Sequence, residues 1–301
     1  MIKVLGIGDN VVDKNYTLQT IYPGGNSFNF AVFSSRLGHQ ASYAGTIAND
    51  LMADIIMDTL AKEGVDTSKC QFENGETGIC GIHLNEGDRV IVDENDAGAV
   101  KKFPFQITEE LLNGYVKQFD LVHSSCYSYI ESQLKKVKDA GVKVLYDFSD
   151  EWTEEGLKKI CPDINLIFFS GGDRSFDELE KILRKCVDEY GCEMAVTTAG
   201  IRGALVYNGR KVYRKLPYNF KEPVIDTTGA GDSWITAFVT TYYDNWKLWN
   251  HLHKGNPAHF TQKDNQEDFE DYLIEFSMCT GNLFARRNCL EMGAVGNGVT
   301  F

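Results

Sequence analysis

The chain has 301 residues, 43% of them hydrophobic, and a formal net charge of −13. That length suits one large α/β domain or two small ones. The acidic balance argues against a nucleic-acid partner, which needs a basic face, and no stretch is long and apolar enough for a membrane-spanning helix. Residues 1–8 read as a first strand running into Asp9, not as a signal peptide. Eight cysteines are scattered without a C-x-x-C pair or zinc spacing. A reduced, cytoplasmic protein is therefore expected, with Cys186 and Cys192 the pair to examine for a bond.

In chain order, apolar runs at 3–7, 41–44, 121–124, 142–148, 166–169 and 194–197 alternate with amphipathic stretches. This pattern predicts an α/β fold: a central, mostly parallel sheet with helices on both faces. Acids Asp9 and Asp13 follow the first strand, at the end where open α/β sheets bind ligands. Gly24-Gly25-Asn26-Ser27-Phe28-Asn29 then opens a helix, with Asn26 as its expected cap and Gly38 as its stop. Close backbone approach at the glycines, together with amides that donate and accept, suits a polyhydroxylated ligand; an ordinary capped helix explains the same residues. Leu51, Met52, Ile55, Ile56 and Leu60 form the buried face of the next helix.

Residues 77–92 break the alternation: two short strands flank Asn85-Glu86-Gly87-Asp88, a hairpin signature and a candidate lid, or else an edge hairpin without a role. The polar stretch 244–271 reads as an extended surface loop. Its His251 and His253, two residues apart, share no helix face, so metal binding is not expected there. A final helix is expected over 268–287.

The most informative segment is Asp226-Thr227-Thr228-Gly229-Ala230-Gly231-Asp232, between a β-branched pair and an apolar helical pattern. A helix start presents unbonded N–H groups and the positive end of the helix dipole, and so suits an anion. Asp232 stands beside it as a base. An anion cradle with an adjacent base is what phosphoryl transfer to a hydroxyl requires. A plain capped turn is the structural alternative.

Taken together, these motifs resemble the ribokinase-like (PfkB) family of carbohydrate kinases. Residues 226–232 match its C-terminal signature and 24–31 its N-terminal one; 37–50, the turn with Asp88 and Arg89, and Thr198-Ala199-Gly200-Ile201-Arg202-Gly203 fall in the family's order. The resemblance implies a three-layer ribokinase-like fold over 1–301 as a single domain. A small β lid would come from about 14–23 and 74–104. It implies Asp232 as base, with the N–H groups of Gly229, Ala230 and Gly231 as anion hole. Asp9, Asp13, Gly24, Gly25, Asn29 and Arg89 would contact the sugar. Thr198, Gly200, Gly203 and Thr228 would lie by the nucleotide. ATP with Mg²⁺ is implied, Asp173 and Asp226 are candidate metal ligands, and Asp226 with Thr228 a K⁺ site. Pairing of two copies through the lid is implied as well.

Within the family, Asp88-Arg89-Val90, Val122-His123 and Asp147-Phe148-Ser149-Asp150 before Trp152 are similar to kinases of fructoselysine-like sugar-amines. Asp147 and Asp150 would then face a cationic part of the acceptor; alternatively Asp150 caps a helix near Glu154. The chain departs from the family pattern at Ser170-Gly171-Gly172-Asp173, where many relatives carry Asn and Glu three apart. Other acceptors (ribose, fructose, a 2-keto-3-deoxy sugar acid, a nucleoside) and a non-catalytic sugar-binding regulator are the rival readings. A dinucleotide fingerprint at Gly6-Ile7-Gly8 fails because Val11 stands where Gly is required.

Overall fold

Fourteen strands and nine helices follow one another in the computed structural model, which describes residues 1–85, 88–95, 97–218, 221–254 and 263–301. In chain order they are β1 (Lys3–Gly8), β2 (Val11–Asn15), β3 (Thr20–Gly24), α1 (Asn26–Arg36), β4 (Gln40–Ile47), α2 (Leu51–Lys62), β5 (Gln71–Phe72), β6 (Gly78–Asn85) and β7 (Asp88–Glu94). Then come α3 (Gly98–Lys102), α4 (Glu109–Gly114), β8 (Leu121–Ser125), α5 (Glu131–Asp139), β9 (Lys143–Asp147), α6 (Glu154–Ile160), β10 (Leu166–Ser170) and α7 (Phe176–Arg184). The chain ends with β11 (Met194–Thr198), β12 (Ala204–Tyr207), β13 (Val212–Lys215), α8 (Ala230–Lys254), α9 (Lys263–Asn288) and β14 (Val299–Thr300).

The large sheet has nine strands in the order β13-β12-β11-β10-β9-β8-β1-β4-β5. It is parallel from β5 to β11, and β12 and β13 add antiparallel at one edge. Side chains alternate between its faces. Val4 joins one core with Phe28, Phe33, Phe238 and Ile274 of α1, α8 and α9. Leu5 and Ile7 join the other with Leu134, Leu157 and Leu179 of α5, α6 and α7. The outcome is the expected three-layer α/β fold. The parallel arrangement lines up the C-terminal ends of β1, β8, β9, β10 and β11, which bring Gly8, Ser125, Asp147, Ser170 and Thr198 to one edge of the sheet.

A second, five-stranded sheet has the order β14-β3-β2-β6-β7. The expected hairpin is present as β6 and β7, paired antiparallel from Cys80↔Glu94 to Asn85↔Asp88; residues 86 and 87 of its turn lie outside the described residues. The Asp50 side chain caps α2 by accepting from the Ala53 N–H at 2.9 Å, and accepts from the Thr77 N–H and hydroxyl at 2.7 and 2.6 Å. One carboxylate thus ties the small sheet's approach segment to the main body.

Several local expectations change. Asn26 is the first residue of α1, not its cap; Gly25 takes the cap position, and no side chain of its own caps the helix. Leu51 is exposed at the start of α2, outside the face formed by Ala53, Ile56 and Leu60. Thr153, not Asp150, caps α6, accepting from the Gly156 N–H at 3.0 Å. The stretch 244–271 is largely helical rather than an extended loop: α8 continues to Lys254 and α9 starts at Lys263, with 255–262 outside the described residues. The reason is an aromatic seam. Tyr242 stacks on Trp246, and Trp246 and Trp249 stack on Phe269 of α9. None of the eight cysteines forms a disulfide; Cys192 donates its S–H to the Cys186 carbonyl at 3.2 Å and is not bonded to the Cys186 sulfur.

Candidate active site

The N-terminus of α1 meets the C-terminal sheet edge beneath the small sheet. Helix starts leave N–H groups unbonded, and here a distant residue fills the gap. Asp9 Oδ1 accepts from the Ser27 N–H at 3.1 Å and from the Ser125 and Ser128 hydroxyls at 2.8 and 2.9 Å. Asp9 therefore anchors α1 to the ends of β1 and β8. Gly25, with φ +113°, packs on this anchor so tightly that a Cβ would stand 2.8 Å from Asn10 Cα and 3.0 Å from Asp9 Oδ2. Gly24 lies beside Asp13, which is buried on β2 opposite Tyr22 of β3. Arg89 stands on β7 in register with Leu84.

The glycine turn before α8 closes the site from the other side. Asp226 is buried, and its carboxylate accepts from the Thr228 N–H and hydroxyl at 2.8 and 2.6 Å and from the Gly293 N–H at 2.8 Å. Gly229 has φ +71°, and a Cβ there would lie 2.6 Å from the Ala294 methyl. The Ala230 N–H is used within the turn, donating to the Thr227 carbonyl at 3.1 Å. The N–H groups of Gly229 and Gly231 have no acceptor among the described residues. Asp232 sits in the first turn of α8, and its Oδ2 accepts from Asn29 Nδ2 of α1 at 2.7 Å.

Sequence reasoning missed a second pair. One helical turn before Asn29, Asn26 Nδ2 donates to Asp147 Oδ2 at 3.2 Å. The Ser149 N–H donates to the other Asp147 oxygen at 2.7 Å. Asp147 is fully buried at the end of β9; its burial, and then the nearby charges of Asp232 and Asp9, push its carboxyl well above the usual carboxylate range. The signal was available, since Asn26 and Asn29 are i and i+3 on one helix and share a face. His123 is also buried here, stacked on the Phe30 ring at 4.7 Å, and burial lowers its imidazole to about 4.

At the far side, Thr198 ends β11, and its carbonyl accepts from the Gly171 N–H at 2.7 Å. Arg202, in the turn between Gly200 and Gly203, donates to the Arg174 carbonyl at 2.7 Å and to the Gly172 carbonyl. The two loops that carry Thr198, Gly200 and Gly203 and that carry Asp173 are thus clamped together. Asp173 is exposed on its loop. The structure does not combine it with Asp226 in a metal-capable group; among the described residues no three His, Cys, Asp or Glu side chains form one.

A family model described as pfkB family carbohydrate kinase matches residues 8–258. The chain belongs to the pfkB family of carbohydrate kinases. It is 36% identical to the fructosamine kinase FrlD of Bacillus subtilis (strain 168), over 80% of this chain and 84% of that one. It is 30% identical to the fructoselysine 6-kinase of Escherichia coli (strain K12), over 77% and 86%. A ribokinase structure from Giardia lamblia superposes with a TM-score of 0.78 at 15% identity, covering 98% of this chain and 95% of that one, and so shares the fold. The chain is thus an ATP-dependent carbohydrate kinase with a ribokinase-like fold. Among the described residues no helix is long and apolar enough to cross a membrane.

Proposed function

We propose that this kinase phosphorylates a primary hydroxyl of a fructoselysine-like sugar-amine, with Asp232 as the base. The observation that carries this reading is the 2.7 Å bond between Asn29 Nδ2 and Asp232 Oδ2, which joins the two signature motifs across 203 residues of sequence. It puts the group that takes a proton beside the segment suited to hold a sugar. The hydroxyl proton passes to Asp232, the hydroxyl oxygen bonds to the γ-phosphorus, and the bond to the β-phosphate oxygen breaks to release ADP. The α8 start, with the N–H groups of Gly229 and Gly231 and the helix dipole behind them, stabilises the charge on the transferring group. Gly24, Gly25, Asp13 and Asn29 orient the sugar, assisted by Arg89 from the hairpin.

The small sheet, contributed by about 14–23 and 74–104, serves as the lid in this reading and as the surface for pairing with a second copy. Thr198, Gly200, Gly203 and Thr228 line the nucleotide side. The cradle fits a phosphate of ATP, because the Gly229 and Gly231 N–H groups have no acceptor among the described residues. Exposed Asp173 would be the carboxylate available on that side to Mg²⁺ bound with the nucleotide, which would screen the phosphate charge. Asp226 with Thr228 would hold K⁺, since the carboxylate's three hydrogen bonds from Thr228 and Gly293 leave it a further lone pair.

A coupled ADP-release assay with fructoselysine, other Amadori compounds, ribose, fructose, a 2-keto-3-deoxy sugar acid and nucleosides tests the proposal. The highest kcat/KM is expected for an Amadori compound. A neutral sugar or nucleoside as the best acceptor overturns the substrate assignment, and no ADP release with any of them favours a sugar-binding regulator.

A further inference from the structure

Asn26 and Asn29 present their amides to the same site in the same sense. Each Nδ2 is turned toward a carboxylate, Asp147 and Asp232 respectively. Each Oδ1 is thereby directed away from that carboxylate. For Asn29, which is 4% exposed, Oδ1 is buried without a hydrogen-bond partner. A buried acceptor left unpaired is costly, so this oxygen points to a ligand that brings a donor. The charge balance points the same way. The hydrogen-bond donors on Asp9 and Asp147 among the described residues are all neutral: Ser27, Ser125 and Ser128 for Asp9, Asn26 and Ser149 for Asp147. Asp147 therefore lies close to both Asp232 and Asp9 with no cation among the described residues hydrogen-bonded to it.

We infer that Asp147 is a positioning residue that fixes Asn26 with its amide oxygen toward the acceptor, and that this pair selects a protonated secondary amine over a neutral group of the same shape. The inference rests on the sugar-amine reading above and names the residues that read the amine. A sugar hydroxyl both donates and accepts, so it tolerates either amide orientation. A protonated amine only donates, so it requires Asn26 Oδ1 outward.

The same geometry defines the test. In Asp147→Asn the Ser149 N–H holds the new amide oxygen, so the new NH₂ faces Asn26. Two NH₂ groups cannot pair, and Asn26 turns to put its own NH₂ outward. The probes are fructoselysine and its ether isostere, in which oxygen replaces the secondary amine. In the wild-type enzyme KM for the amine is expected to lie about tenfold or more below that for the ether. In Asp147→Asn this ratio collapses toward one, through KM for the amine rather than through kcat. A merely structural role would weaken both compounds alike. A wild-type ratio below about twofold, less than a single hydrogen bond to a charged group provides, overturns the inference, as does a variant that keeps the wild-type ratio. Should Asp147→Asn fail to fold, Asn26→Leu at the partly exposed start of α1 is expected to give the same collapse, and an undiminished ratio there also overturns the inference. If neutral sugars are turned over and no Amadori compound is, the sugar-amine reading itself has failed, a result distinct from both.

Discussion

Asn29 on α1 holds Asp232 on α8 by a 2.7 Å hydrogen bond. The bond fixes one carboxylate oxygen and leaves the orientation of the other determined by the helix start on which it sits. It also joins α1 to α8, whose Phe28, Phe33 and Phe238 share one buried core. On the proposed assignment of Asp232 as base, it is preorganised for a hydroxyl placed between the two elements.

Asp232→Asn removes the proposed base and keeps the shape. We expect kcat to fall by roughly 10²–10⁴, with nucleotide affinity by calorimetry close to wild type and an unchanged circular dichroism spectrum. Wild-type kcat in this variant would remove Asp232 from the chemistry.

Gly25→Ala tests the close approach of α1 to the β1 end. The residue has φ +113°, and its Cβ would meet Asn10 and Asp9 at 2.8–3.0 Å. Strain of this kind costs on the order of 1–3 kcal/mol, which urea denaturation would register as a lower midpoint with an unchanged slope. Because Asn26 and Asn29 ride on the same helix start, KM for the sugar should rise as well. A fully stable, fully active variant would show that the backbone relaxes there without consequence.

These positions also show what was legible in the sequence. Gly25, Gly229 and Asp232 announced themselves because turn and helix-start chemistry is written in adjacent residues. The β1, β4 and β8–β11 strands were legible because buried parallel strands are continuous apolar runs. Asn26–Asp147 and Asp9–Ser27 were not, since those pairs are 121 and 18 residues apart and depend on which strand ends the sheet brings together. The end of α8 was misread because its Trp246 and Trp249 find their partner, Phe269, only across a helix pair. β14 is two residues long, and its pairing with β3 carries no local pattern at all.

His123 gives a pH signature. Its imidazole is buried, and its folded pKa is lowered from 6.5 to about 4. Between those values the unfolded chain binds a proton that the native state does not, so stability rises with pH across the window and is lost as pH falls from about 6.5 toward 4. In His123→Phe, which keeps a ring against Phe30, the dependence of unfolding free energy on pH between 4 and 6.5 should be shallower. An identical slope in wild type and variant would show that His123 is protonated in the fold.

Asp147 has the opposite sign. Burial and the neighbouring charges of Asp232 and Asp9 raise its folded pKa well above 3.8, so the native state holds a proton that the unfolded chain has released. The stability associated with that proton is fully present below pH 3.8 and is lost as pH rises through the folded pKa. Asp147→Asn carries no titrating group, so relative to wild type it should gain stability as pH rises above 3.8. Thermal denaturation of both proteins from pH 5 to 9 measures the difference. A variant that differs from wild type by the same margin at every pH would mean that Asp147 does not titrate in the fold across that range. A variant that gains stability while its preference for a charged acceptor collapses would show a carboxylate retained at a cost to the fold because binding needs it.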